Sequence, residues 1–176
     1  MSSDRNRSLE KRMIMVVSIR GFKTDDIEEV IDIWNEVVDE GNAFPQKNTL
    51  LALEGLEFFQ SQSFTGVAVD EGGTIVGVYI LHPNNVGRCG HICNASYAIR
   101  SDVRGKQIGE VMVKHSMEKA KELGFRILQF NAVVSSNQAA LHLYEKLGFT
   151  KLGVIPGGFC KKDGTYEDII PHYHLL

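Results

Sequence analysis

Cysteine is scarce and odd in number. The chain has three, so a disulfide framework is not expected and a reducing, cytoplasmic setting is the simpler one. No apolar run approaches the roughly 20 residues that a bilayer-spanning helix needs. Positive charge is not in excess: 19 Lys and Arg stand against 22 Asp and Glu, a formal net charge of −3. That balance offers no electrostatic footprint to nucleic acid or to an anionic membrane. Residues 1–12 are polar and mixed in charge, without the apolar core of a secretion signal. Acids interrupt their basic residues, as in a solvated tail, and a disordered extension is expected there. No repeat, low-complexity tract or linker divides the rest. Residues 13–176 are therefore expected to form one domain, and 43% hydrophobic content supplies an ordinary core.

What is present is an alternation of strand and helix signals. Residues 13–19 are a short run rich in valine and isoleucine, a first strand. Asp25 with Glu28 reads as an acidic capping box, ahead of Ile27, Val30, Ile31, Trp34, Val37 and Val38 at helical spacing. That spacing places Trp34 in the core. Residues 50–59 suit a second helix. Residues 64–69 and 74–81 around Asp70-Glu71-Gly72-Gly73 read as a β-hairpin, and 91–99 as the next strand. Then follow a helix over 108–123, a strand over 127–134 and a helix over 137–147. Closing strands are expected over 150–155 and 167–175, with Pro156-Gly157-Gly158 in a loop between them. The order implies an α/β domain with a mixed sheet and a central parallel pair.

The most informative stretch is Ile99 to Glu110. A strand runs into a basic turn with Gly105 and Gly109, and the turn opens directly into a helix. The first N–H groups of a helix lack partners inside it and point the same way at the positive end of its dipole. Arg104 and Lys106 add formal charge, which suits a pyrophosphate. The glycine spacing is not that of a dinucleotide fingerprint. Gly105-Lys106 is followed by Gln107 rather than Ser or Thr, so it is not a nucleotide-triphosphate loop either. The plainer alternative is a turn that uses glycine for geometry alone. One strand later, Asn137 and Tyr144 lie about two helical turns apart on nearly one face. Taken singly, Asn137 reads as an N-cap and Tyr144 as a core-edge aromatic.

Together, in this order, the two motifs resemble the GNAT superfamily of acetyl-CoA-dependent N-acetyltransferases, most strongly over 96–149. The resemblance implies the mixed, mostly antiparallel sheet with a splayed parallel pair and helices on both faces. It implies that Tyr97, Ala98 and Ile99 offer a strand edge to the pantetheine arm of acetyl-CoA. Arg104, Gly105, Lys106, Gln107, Ile108, Gly109 and Glu110 would cradle the pyrophosphate. Asn137 would contact the pantetheine region, and Tyr144 would protonate the departing thiolate. Gln107 stands where the family pattern has its middle glycine, so the cradle keeps its geometry if Gln107 need not take a positive φ. The implied reaction is direct transfer in a ternary complex. Its base is not identified: many relatives carry a glutamate where this chain has Ala132, and Glu36, Glu40, His91, Glu167 and His172 are all open candidates.

A narrower resemblance, to fungal acetyltransferases acting on proline analogues, rests on Asn84-Asn85, Gly87-Arg88, His91 to Ala95 and Phe130 to Val133. It implies that Asn94 and Asn131 hold a substrate carboxylate through neutral amides; the plainer alternative is that they satisfy main-chain groups where two strands part. The expected partners are acetyl-CoA and a small amine, with no metal, nucleic acid or membrane, and a homodimer is an open state. Cys89, His91 and Cys93 alternate as if along one strand face, but a zinc site would need a fourth ligand and another spacing. The competing functions are a non-catalytic acyl-CoA binding module and an acetyltransferase of peptide N-termini.

Overall fold

The computed structural model describes residues 14–176. The expectations for residues 1–12, and for Met13 in the first strand, fall outside them.

β1 (Val17–Gly21) leads into helices α1 (Ile27–Glu40) and α2 (Ala52–Gln60). The antiparallel strands β2 (Phe64–Asp70), β3 (Ile75–Pro83) and β4 (Ile92–Ile99) follow. Next come α3 (Ile108–Glu122), β5 (Ile127–Phe130), α4 (Gln138–Lys146) and β6 (Thr150–Lys151). The chain closes with β7 (Ile155–Cys160), β8 (Tyr166–Ile169) and β9 (His172–Leu175). Seven strands form one sheet in the order β1-β2-β3-β4-β5-β9-β6, in which β4 and β5 are the parallel pair. β7 and β8 form a separate two-stranded sheet.

Side chains alternate across a strand, and the alternation here feeds two cores. Val67, Val78, Ile80 and Ala98 point to the face covered by α1, where Val30, Ile33, Trp34 and Val37 pack with Phe59 of α2. Tyr79, Leu81, Ala95, Leu128 and Phe130 point to the opposite face, under Ile108, Met112 and Val113 of α3 and Leu141 of α4. Gly66 is required by this packing, because a Cβ there would lie 2.3 Å from the Tyr79 ring.

Three local expectations are corrected. The residue that opens α1 is Asp26, not Asp25. Its carboxylate accepts from the Lys23 N–H at 2.7 Å and from both Arg20 Nη atoms, at 2.6 and 2.8 Å. Arg20 on β1 thus recruits the neighbouring acid. The strand expected over 127–134 ends at Phe130, because the chain must leave the sheet to reach α4. Pro156-Gly157-Gly158 is part of β7, not a loop. The β7–β8 ladder is interrupted between Ile155 and Phe159, which admits proline and glycine without losing the pairing. Phe159, Ile169 and Val134 fix this hairpin against the rest.

Candidate active site

β4 and β5 pair only at Ile92 with Ile127 and Cys93 with Leu128, then separate. The first bond across the parting is a side-chain one: Asn94 Nδ2 donates to the Gln129 carbonyl at 3.0 Å. Main-chain polarity alternates along a strand, so the ladder to β3 decides what the other edge offers. Arg100 N donates to Val76 O at 3.0 Å and Asn84 N to Ile92 O at 2.8 Å, so the even-numbered residues of β4 face β3. The N–H and C=O groups of Ala95, Tyr97 and Ile99 therefore face the gap. Ala98, expected to share that edge, has its main chain committed to β3.

At the open end of the gap a 3-10 turn (Ser101–Val103) leads to the basic turn. The N–H groups of Gly105, Lys106, Gln107, Ile108, Gly109 and Glu110 make no hydrogen bond to any described residue. Gly105 sits at φ 79° and Gln107 at φ 66°, the one positive φ among the described non-glycine residues. The condition placed on Gln107 is therefore not met: it takes the left-handed conformation that a middle glycine would adopt freely, at a cost of about 1–2 kcal/mol. Glu110 is bound on both oxygens by lysines, Lys114 at 2.8 Å and Lys146 at 2.6 Å. These contacts hold its carboxyl below the usual range, and they offset its charge beside the orphan donors. Arg104 is turned back: Nη1 pairs with Glu40 at 2.7 Å and Nε donates to the Ile99 carbonyl at 3.1 Å.

Along the α4 face of the gap lies an aromatic wall. Phe130 stacks on Phe149 and contacts Tyr144 at a ring separation of 4.4 Å, with Tyr97 at its other edge. The Tyr97 hydroxyl is bonded to Ser116 Oγ at 2.6 Å and is not free for chemistry. No described residue bonds the Tyr144 hydroxyl, and burial raises its pKa. Such a phenol keeps its proton at neutral pH and can donate it. Asn137 is the N-cap of α4, accepting the Ala140 N–H at 3.1 Å, which is the plainer of its two readings. Its amide N–H groups remain available.

On the α1 face, Asn131 forms a reciprocal amide pair with Asn84, at 2.6 and 3.2 Å, and accepts from Gln129 Nε2 at 3.0 Å. Asn94 and Asn131 thus flank the same strand end but do not bond each other. The base candidates separate clearly. Glu36 accepts from Ser101 N at 3.0 Å and from the Ser101 hydroxyl, while Glu40 holds Arg104. Both fasten α1 to the turn after β4. Glu167 accepts from Ser136 at 2.9 Å, and His91 is exposed. His172 is fully buried on the α4 face, with Nδ1 2.6 Å from Ile170 O and Nε2 without a partner among the described residues. Cys89 lies in a turn before β4 and Cys93 is buried within it, its thiol pushed up to about 12 by burial, so the three do not line one strand. Among the described residues no cluster of His, Cys, Asp or Glu could hold a metal. One titratable residue passed over in the sequence stands near the gap: His82, opposite Asn94 in the β3–β4 ladder.

The family model "Acetyltransferase (GNAT) family" matches residues 28–149. The chain belongs to the GNAT acetyltransferase family, a class of acetyl-CoA-dependent N-acetyltransferases. Among its relatives is the N-acetyltransferase aca1 of Schizosaccharomyces pombe, 31% identical over 110 residues, 61% of this chain. The matched segment spans about half of that relative, 53% of its length, and agrees with the fungal resemblance. The peptidyl-lysine N-acetyltransferase YjaB of Escherichia coli is 31% identical over 79% of this chain and 86% of its own. The L-amino acid N-acyltransferase MnaT of the same organism is 24% identical over 80% and 83%. A solved GCN5-related N-acetyltransferase from Kribbella flavida superposes with a TM-score of 0.84 at 27% identity, covering 91% of this chain and 98% of that one. Other structures of this fold have been solved with acetyl-CoA bound.

Proposed function

We propose that this protein transfers the acetyl group of acetyl-CoA to the amine of a small, amino-acid-like molecule, by direct transfer in a ternary complex. The observation that carries the reading is the run of unpartnered N–H groups from Gly105 to Glu110, set at the mouth of a gap whose edge offers the main-chain groups of Tyr97 and the N–H of Ile99. The turn fits a diphosphate through backbone donors and a helix dipole. The strand edge fits the amides of the pantetheine arm. A gap N–H such as that of Ala95 would stabilise the oxyanion, and Tyr144 would protonate the departing sulfur. Asn137 would bond the pantetheine region. The free N–H groups of Asn94 and Asn131 would receive a substrate carboxylate on the α1 face.

The small-molecule reading is supported by the likeness to MnaT. The likeness to YjaB favours a second reading, a peptide lysine as acceptor. The reading also carries a cytoplasmic location, for which the free cysteines Cys89, Cys93 and Cys160 are suited. Among the described residues no helix is long and apolar enough to cross a membrane. It carries no nucleic-acid or membrane partner, and a homodimer as the assembly that sedimentation would test. The deciding experiment is thiol release from acetyl-CoA across a panel of free amino acids, proline analogues, polyamines and lysine peptides. Saturable release with amino acids and not with peptides is expected. Release with peptides alone would move the acceptor to the second reading, and coenzyme binding without release from any acceptor would end both.

A further inference from the structure

We propose that His82 is the base that takes the proton of the acceptor amine, an assignment that rests on the acetyl-transfer reading above. Residues directly opposite in an antiparallel ladder lie about 5 Å apart and share a face, so His82 stands beside Asn94 on the α1 side. That is the side of the sheet opposite to Tyr144, which packs with Phe130 and Phe149 on the α4 side. A carbonyl held in the gap between β4 and β5 would then have an acid on one side of the sheet and a base on the other.

From the turn at Ile99 back to Ala95 is four residues of strand, about 13 Å. An arm laid along that edge brings its reacting end to where the strands meet, beside Ala95 and Asn94. His82 Nδ1 lies 3.0 Å from the Pro83 carbonyl. A carbonyl only accepts, so Nδ1 carries the hydrogen of the neutral ring, which leaves Nε2 as the nitrogen that can take a proton. The side chain is half-buried, within reach of water that spans to a bound amine. Of the other candidates, Glu36, Glu40 and Glu167 are bonded elsewhere, His172 packs against Tyr144 on the other face, and the exposed His91 precedes the paired start of β4 rather than its parting from β5; the strand position that many relatives fill with glutamate is Ala132.

The ammonium form of the acceptor gives one proton through water to His82 Nε2, forming imidazolium. The freed nitrogen lone pair attacks the thioester carbonyl, a C–N bond forms and the C–S bond breaks. The nitrogen's second proton leaves to water as the amide forms, and the sulfur takes one from Tyr144, whose phenol is then reprotonated from solvent. His82 returns its proton to solvent, for a net release of one.

The test compares two acceptors in the intact protein, an alkyl amine with a pKa near ~10 and a weakly basic amine already neutral at the assay pH. His82→Ala and His82→Gln should lower kcat for the alkyl amine by about 100-fold. Both should leave the KM for acetyl-CoA within twofold and slow the weak amine less than about threefold. Added imidazole should restore part of the His82→Ala rate with the alkyl amine. Equal losses for the two acceptors, or an unimpaired alkyl-amine rate, would overturn the assignment. The melting temperatures of the two variants separate loss of a base from loss of fold. A wild-type protein that releases no thiol with any amine would remove the acetyl-transfer reading and this one with it; an active wild type with indifferent variants would remove this one alone.

Discussion

Gln107 offers the sharpest check on the anion turn. It holds φ 66° and ψ 11° at the N-cap of α3. A side chain in that region costs about 1–2 kcal/mol relative to glycine. Glycine's extra freedom in the unfolded chain returns roughly 0.5–1 kcal/mol of that. Gln107→Gly should therefore stabilise the fold by about 0.5–1 kcal/mol, and for a chain of this length each kcal/mol moves the melting temperature by about 2–4 °C. A rise of about 1–4 °C is expected by calorimetry. Gln107→Val places a β-branched residue where it is an outlier, and a fall of several degrees is expected. Because the donors are main-chain groups, Gln107→Gly should leave the acetyl-CoA Kd within about twofold. A lower melting temperature for Gln107→Gly, or an indifferent Gln107→Val, would show that the left-handed turn is not the native one. A tenfold loss of affinity in Gln107→Gly would show that the side chain, not the backbone, grips the coenzyme.

Tyr144→Phe should lower kcat by about 100-fold and leave acetyl-CoA binding by calorimetry unchanged; full activity would end its role as the acid. Glu40→Gln releases Arg104 from a pair whose side chains are 31% and 40% exposed, worth less than about 1 kcal/mol. The melting temperature should fall by no more than about 3 °C, and acetyl-CoA should bind more tightly at low salt as the guanidinium turns to the diphosphate. Weaker binding would show that Glu40 holds Arg104 in place for the ligand. Burial holds the His172 imidazole below its ordinary value of 6.5, and burial does the same to His115. The unfolded chain then binds more protons than the folded one below that value, so their contribution is intact at higher pH and declines as pH falls through 6.5. His172→Phe should flatten the fall in melting temperature between about pH 6.5 and 5; an unchanged slope would place the loss at His115 or elsewhere.

Periodicity carried most of the architecture. Val30, Trp34 and Val37 repeat at helical spacing and do face the sheet, and Asp70-Glu71-Gly72-Gly73 turns the hairpin where glycine and acid cluster. The basic turn was readable because orphan donors at a helix start follow from helix geometry alone. Other features have no local signature. Nothing about glutamine marks position 107 as left-handed. Pro156 and the glycines after it read as a loop, because the irregular ladder that tolerates them depends on a partner strand ten residues on. Asn94 and Asn131 stood out, yet their bonds go to Gln129 and Asn84, which only the parting of β4 from β5 brings near. His82 ends an unbroken apolar run, and its position opposite Asn94 exists only through strand register.

A sheet ordinarily keeps its unpaired rungs at its rim, where charges or covering loops guard them. This one carries them in its middle, at Ala95, at Tyr97 and at the N–H of Ile99, so the coenzyme would serve the apo protein as a missing strand as well as a reactant. At a hundred times its Kd, such a ligand adds about 2.7 kcal/mol to stability. Starved of it, the molecule would present an interior template to its neighbours, and its solubility in storage should track the acyl donor more closely than the acceptor.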